Sequence, residues 1–153
     1  MRLDENALSR WGRRIGERIV APAFITLQGP LGAGKSVLAR AIGRGAGVEA
    51  PMPSPSFNLL LRYPTRAGID LVHLDLYRLE SPEELWELGW SQLGDEAEVV
   101  LIEWPERAGD NLPADRWVIA LSVPDGHPGL RDVEVRRVGS PPELAGFPMS
   151  ISA

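Results

Sequence analysis

Cysteine is absent from this 153-residue chain, which excludes disulfides and thiolate-held metals. With only two histidines, His73 and His127, and no thiol, a zinc site is excluded as well. The longest nearly apolar stretch, Ile19 to Leu27, is interrupted by Pro22 and is about half the length that crosses a bilayer, so no membrane span is expected. Asp4 and Glu5 stand where a secretory signal would carry basic residues, and a cytoplasmic location is the expectation. Lysine is the remaining scarcity. Fifteen of the sixteen basic side chains are arginine, and Lys35 is the only lysine.

Apolar residues make up 44% of the chain, too many for a disordered polymer, and its length suits one core. The expected organisation is a single domain over residues 1–139 and a loose or lightly docked tail over 140–153. The net charge is −5. Against that background, Arg10, Arg14 and Arg18 form an i, i+4, i+8 stripe on a helix expected from Glu5 to Val20, capped by Asp4. The stripe reads as a solvated face or as a docking surface for an acidic partner or an RNA backbone.

Phe24 to Leu27 reads as a buried strand that runs into Gly29-Pro30-Leu31-Gly32-Ala33-Gly34-Lys35-Ser36, followed by a helix from Val37 to about Gly43. The eight residues fit G-x-x-x-x-G-K-[ST], the phosphate loop of nucleoside triphosphatases. Gly29, Gly32 and Gly34 allow backbone N–H groups, with those of Ala33 and Val37, to turn toward an anion at a helix N-terminus. Lys35 would reach the β- and γ-phosphates and the Ser36 hydroxyl would be a hard oxygen ligand for Mg²⁺. The chain's sole lysine stands where the motif requires one.

Further strands are expected at Phe57 to Tyr63, Leu71 to Leu76, Val99 to Trp104, Trp117 to Val123 and Asp132 to Val138. Ser81-Pro82-Glu83-Glu84 would open a helix, with serine as its cap, and Trp86 and Trp90 are core candidates on it. Pro124 to Gly129 has the chemistry of a hairpin turn. The expected fold is therefore α/β, a phosphate-loop nucleoside triphosphatase with a mostly parallel sheet, helices on both faces and an antiparallel C-terminal edge hairpin.

Ligands of such sheets gather outside the carboxyl ends of the strands. Two expected strands end there in carboxylates, Asp75 and Glu103, the candidates for holding Mg²⁺ and orienting a nucleophile. His73 reads as a core or supporting hydrogen-bonding residue, with catalysis as the alternative; Arg78 could pair with a phosphate, a carboxylate or an RNA backbone, and an internal salt bridge is the default expectation. Trp104 follows Glu103 at the active edge of the sheet. The guanine-reading motif Asn-Lys-x-Asp needs a lysine that the chain lacks, which favours adenine.

In order, the glycine-rich loop, Ser54-Pro55-Ser56-Phe57, His73-Leu74-Asp75-Leu76-Tyr77-Arg78-Leu79 and Ile102-Glu103-Trp104-Pro105-Glu106 resemble the TsaE (YjeE) family. That family is the bacterial ATPase of tRNA threonylcarbamoyladenosine biosynthesis. The resemblance implies ATP and Mg²⁺ as cofactors and slow hydrolysis until TsaB and TsaD engage, with tRNA met only indirectly or transiently and no role for DNA. By position it implies Lys35 on the phosphates, Ser36 on the metal, Ser56 as a switch residue sensing the γ-phosphate, and Asp75 and Glu103 in catalysis or Mg²⁺ binding. It also places Glu5 and Arg131 near the nucleotide. Departures are Pro30 where an acidic residue is usual, and serine for threonine at Ser36 and Ser56. Two other readings stay open at this level: a small-molecule kinase of the same strand-loop-helix plan, and a nucleotide-sensing module that binds ATP without useful turnover.

Overall fold

A computed structural model describes residues 1–55, 59–66 and 68–144. Seven strands form one sheet: β1 Arg2–Asp4, β2 Ala23–Gln28, β3 Leu60–Pro64, β4 Asp70–Asp75, β5 Glu98–Glu103, β6 Arg116–Ser122 and β7 Leu130–Val138. Their spatial order is β1-β7-β6-β2-β5-β4-β3. The expectation of a mostly parallel sheet needs correcting. The central pairs β6/β2, β2/β5 and β5/β4 are parallel, whereas β3/β4, β6/β7 and β1/β7 are antiparallel. The C-terminal hairpin is antiparallel as expected but is not the edge, because β1 pairs with β7 outside it.

The central strands are buried on both faces, which is why they read as nearly unbroken apolar runs rather than alternating ones. Leu71, Val99, Leu101, Ile25, Leu27 and Ile119 face one side, where Leu8, Trp11, Leu38 and Ile42 of α1 Glu5–Glu17 and α2 Lys35–Gly45 cover them. Val72, Leu74, Val100 and Ile102 face the other. There the helical cover expected on both faces is reduced to the single turn α3 Glu84–Glu87 and 3₁₀ segments at Trp90–Gln92 and Pro105–Asn111.

Several local expectations also shift. The first helix ends at Glu17 rather than Val20; Asp4 caps it as expected, its Oδ1 accepting from the Ala7 N–H at 2.8 Å. Ser81 is not the side-chain cap of α3; Glu83 holds that position without a side-chain hydrogen bond. Gly89, at φ 79°, ends the helix before Trp90, so the two tryptophans do not share a helical face. Trp90 is buried and donates its indole N–H to the Asn111 carbonyl at 3.0 Å, whereas Trp86 is 54% exposed and is not a core residue. Arg10 and Arg13 lie exposed on α1 and Arg18 exposed at its C-cap, with Arg14 partly covered. The start of the C-terminal segment is docked: the Trp117 indole donates to the Pro142 carbonyl at 2.9 Å, and Leu144 is buried in the α1/α2-side core. Residues 145–153 lie outside the described residues. Among the described residues, no helix is long and apolar enough to cross a membrane.

Candidate functional site

The site lies where β2, β5 and β4 end. β2 stops at Gln28, the chain turns through residues 29–34, and α2 begins at Lys35. Gly29, Gly32 and Gly34 have φ of 149°, 81° and 101°, conformations an L side chain rarely adopts, so the glycine spacing is a backbone requirement of this turn. Gly34 is the N-cap of α2, and the first backbone N–H groups of that helix point out of its positive end.

Lys35 is 5% exposed. Its ammonium donates to the carbonyls of Gly29 at 2.7 Å and Pro30 at 2.9 Å and lies 4.1 Å from the centroid of the Trp104 ring. Burial lowers its pKa below the usual lysine value, with the nearby carboxylates of Glu103, Glu106 and Asp75 pulling the other way. Trp104 reaches that ring position because its own backbone is left-handed, φ 56°, immediately after β5. Tyr77 packs against the same indole, ring centroids 4.9 Å apart.

Register brings the two strand-end acids side by side, since Asp75 of β4 pairs with Glu103 of β5. On β5, Glu103 has the parity of Val99 and Leu101, so it faces α2. There the Ser36 hydroxyl donates to Glu103 Oε1 at 3.0 Å, while His73 Nε2 lies 2.6 Å from Oε2. Asp75 is fixed from two sides: the Ser54 hydroxyl donates to Oδ2 at 3.1 Å and the Tyr77 backbone N–H to Oδ1 at 3.0 Å. Arg131, from the far strand β7, donates Nε to the Ala33 carbonyl at 2.9 Å and Nη2 to that of Gly32 at 3.3 Å, clamping the loop from outside.

These groups surround a cavity of about 430 Å³. Of the residues expected from sequence, Glu5, Gly32, Gly34, Lys35, Ser36, Val37, Asp75, Glu103, Trp104 and Arg131 line it. Gly29 and Ala33 do not: they shape the loop from behind, and the would-be Cβ of Gly29 lies 3.2 Å from that of Ala33. Ser56 lies outside the described residues. Sequence reasoning missed Leu8, Leu31 and Ser54 as lining residues, and it did not assign Tyr77 or Arg78 to the site. The signal for Tyr77 and Arg78 was their position directly after Asp75. For Ser54 it was the Ser-Pro-Ser loop, in which the described hydroxyl on Asp75 belongs to Ser54.

Residues 3–129 match the family described as threonylcarbamoyl adenosine biosynthesis protein TsaE. The chain belongs to the TsaE family. Among curated relatives named tRNA threonylcarbamoyladenosine biosynthesis protein TsaE, that of Streptomyces coelicolor is 35% identical over 133 residues, covering 84% of this chain and 88% of its own. The Treponema pallidum protein of the same name is 35% identical over 115 residues, covering 75% and 84% respectively, and the Synechocystis one 38% over 112 residues, covering 68% of each. Among solved structures, YdiB of Bacillus subtilis superposes with a TM-score of 0.70 at 21% identity, covering 90% of this chain and 83% of that one, a likeness of fold. The TsaE match ends at residue 129, so the whole of β7, Arg131 included, lies beyond it.

Proposed function

We propose that this chain is a Mg²⁺-dependent ATPase that acts with TsaB and TsaD in making tRNA threonylcarbamoyladenosine. The pathway is supported by the names of its relatives. The ATPase reading is carried by one observation: the Ser36 hydroxyl, at the positive start of α2 and next to Lys35, is hydrogen-bonded to the strand-end carboxylate of Glu103. A hydroxyl and two carboxylates are hard oxygen donors of the kind Mg²⁺ takes, and it is bound through few protein ligands when phosphates supply others. The loop suits an anion: a Cβ at Gly32 would meet nothing within 4 Å, so its backbone is open to an approaching phosphate.

Lys35 brings the loop's mobile positive charge, now resting on two neutral carbonyls and an aromatic face, all partners weaker than a triphosphate. Ser36, Glu103 and Asp75 would hold Mg²⁺, which when bound neutralises charge on the phosphate oxygens. Glu103 and Asp75 each accept two hydrogen bonds, so neither carboxylate needs to reorganise to orient a water or a metal-bound group. Glu5, Leu8 and Leu31 supply a mixed wall suited to a base and sugar, and the absence of a second lysine favours adenine over guanine.

The test is ADP release from MgATP by the purified protein, alone and with TsaB and TsaD, with Lys35→Ala as blank. Slow turnover that rises with the partners and disappears in the variant is the expected result. Fast turnover without partners would point to a kinase lacking its acceptor. No Lys35-dependent turnover under either condition would leave a nucleotide-sensing module.

A further inference from the structure

His73 lies on β4 between Val72 and Leu74, only 1% exposed. Its position places an imidazole among the apolar central residues of the strand, where a leucine would pack without a hydrogen-bonding requirement. Nε2 lies 2.6 Å from Glu103 Oε2, in the range of charge-assisted hydrogen bonds. Nδ1 is buried and has no hydrogen-bond partner among the described residues. That asymmetry favours the Nε2–H tautomer. A proton on Nδ1 would be a buried orphan donor and would leave the Nε2 lone pair facing a carboxylate; a proton on Nε2 satisfies the carboxylate and leaves only a weak acceptor unpaired.

Glu103 is therefore gripped at both oxygens, by His73 on Oε2 and by the Ser36 hydroxyl on Oε1. The two grips are unequal. Ser36 is on the first turn of α2 and lines the cavity, so its hydroxyl is open to exchange with a ligand; His73 is deep in the sheet and outside the lining. We infer that His73 is a positioning residue: its Nε2–H holds Glu103 Oε2 so that Oε1 stays turned toward Ser36 and the cavity when the Ser36 hydroxyl is taken up by a ligand. This inference rests on the ATPase reading and names a residue through which that activity is set. His73 itself does not line the cavity.

Two amide substitutions separate positioning from mere packing. A glutamine amide nitrogen reaches about where Nε2 stands, and an asparagine amide nitrogen stands nearer Nδ1. With TsaB and TsaD present, His73→Asn and His73→Leu are expected to lower kcat ten- to a hundredfold, in the range for loss of a residue that orients a ligand-holding group, with KM for ATP within about threefold of wild type. His73→Gln should stay within about threefold of wild-type kcat. Melting temperatures check that each variant is folded, and if the leucine variant is not, the Gln-versus-Asn comparison decides. In the nucleotide-free protein, ¹⁵N–¹H correlation spectra should show His73 as the Nε2–H tautomer. The inference is overturned if Asn retains wild-type kcat, if Gln falls as far as Asn, if the loss lies in KM, or if the proton sits on Nδ1. A wild-type protein without Lys35-dependent ADP release would instead sink the ATPase reading, whatever the tautomer.

Discussion

Gly29 and Gly32 belong to the same loop and both have positive φ, yet alanine at the two sites should cost different amounts. At Gly32, φ 81°, a Cβ meets nothing within 4 Å, so Gly32→Ala adds only backbone strain. A left-handed L residue costs about 1–2 kcal/mol, and the lost freedom of the unfolded chain returns about 0.4–1 kcal/mol, leaving roughly 1 kcal/mol. At Gly29, φ 149°, the Cβ would come within 3.2 Å of both the Leu121 carbonyl carbon and the Ala33 Cβ, with the Leu121 oxygen closer still. That oxygen is backbone of β6, so no rotamer change relieves it. Overpacking of this kind adds about 1–3 kcal/mol, which brings Gly29→Ala to roughly 3 kcal/mol. For a chain of this length each kcal/mol lowers Tm by about 2–4 °C, so the expected losses are about 2–4 °C for Gly32→Ala and about 6–12 °C for Gly29→Ala. Thermal unfolding followed by circular dichroism at neutral pH measures both. Stability is the deciding readout, since Gly32, unlike Gly29, lines the cavity. Equal losses in the two variants, or a Gly29→Ala protein within 2 °C of wild type, would refute the division into strain and clash.

Three further outcomes follow from the same structure. The Tyr63 hydroxyl is buried without a hydrogen-bond partner among the described residues and burial holds its pKa above the ordinary 10.0, so the folded state resists losing a proton that the unfolded chain gives up. Its stabilisation is therefore full below pH 10 and lost above it; Tyr63→Phe should melt no lower than wild type at neutral pH and lack this alkaline loss. Asp132, hydrogen-bonded to Arg2 at 2.8 Å across β7/β1, has its pKa held below the ordinary 3.8 by that hydrogen bond. Its contribution is present above about pH 4 and lost as pH falls through the lower folded value, and Asp132→Asn should flatten that part of an acid-unfolding curve. Lys35 lies over the Trp104 ring, so moving the ammonium onto phosphates should change tryptophan emission when MgADP is added, and Trp104→Phe should abolish the change. An unchanged wild-type spectrum at saturating nucleotide would remove Trp104 from the site.

The parts of the site legible in sequence were those where chemistry leaves a composition mark. Lys35 stood out as the sole lysine, the glycines by their spacing, and Asp75 and Glu103 because each ends an apolar run. What stayed hidden depends on contacts between distant segments. β1 has three residues, too few for a periodicity, and exists because Met1 to Asp4 lie along β7: Arg2 pairs with Asp132, and the Val133 N–H donates to the Met1 carbonyl at 2.7 Å. Trp86 and Trp90 have helical spacing, but Gly89 ends the helix between them. Ser54 grips Asp75 across 21 residues, a distance at which no local pattern operates.

The antiparallel strands, the expected hairpin and the unforeseen β1, explain how the site is closed. The parallel strands β2, β5 and β4 are enough to bring the loop, Glu103 and Asp75 together at their carboxyl ends. They leave the outer side of the loop open toward β6. The hairpin β6/β7 and the short pairing of β1 with β7 fill that side: β7 brings Arg131 onto the Gly32 and Ala33 carbonyls, and β1 leads directly into α1, whose Glu5 and Leu8 also line the cavity. Because β1 is held through β7, the Arg131 clamp and the Glu5 wall share one support. A lesion in the β1/β7 pairing, remote from the glycine-rich loop, should therefore loosen both at once, whereas a lesion in β3 at the other edge should leave them in place.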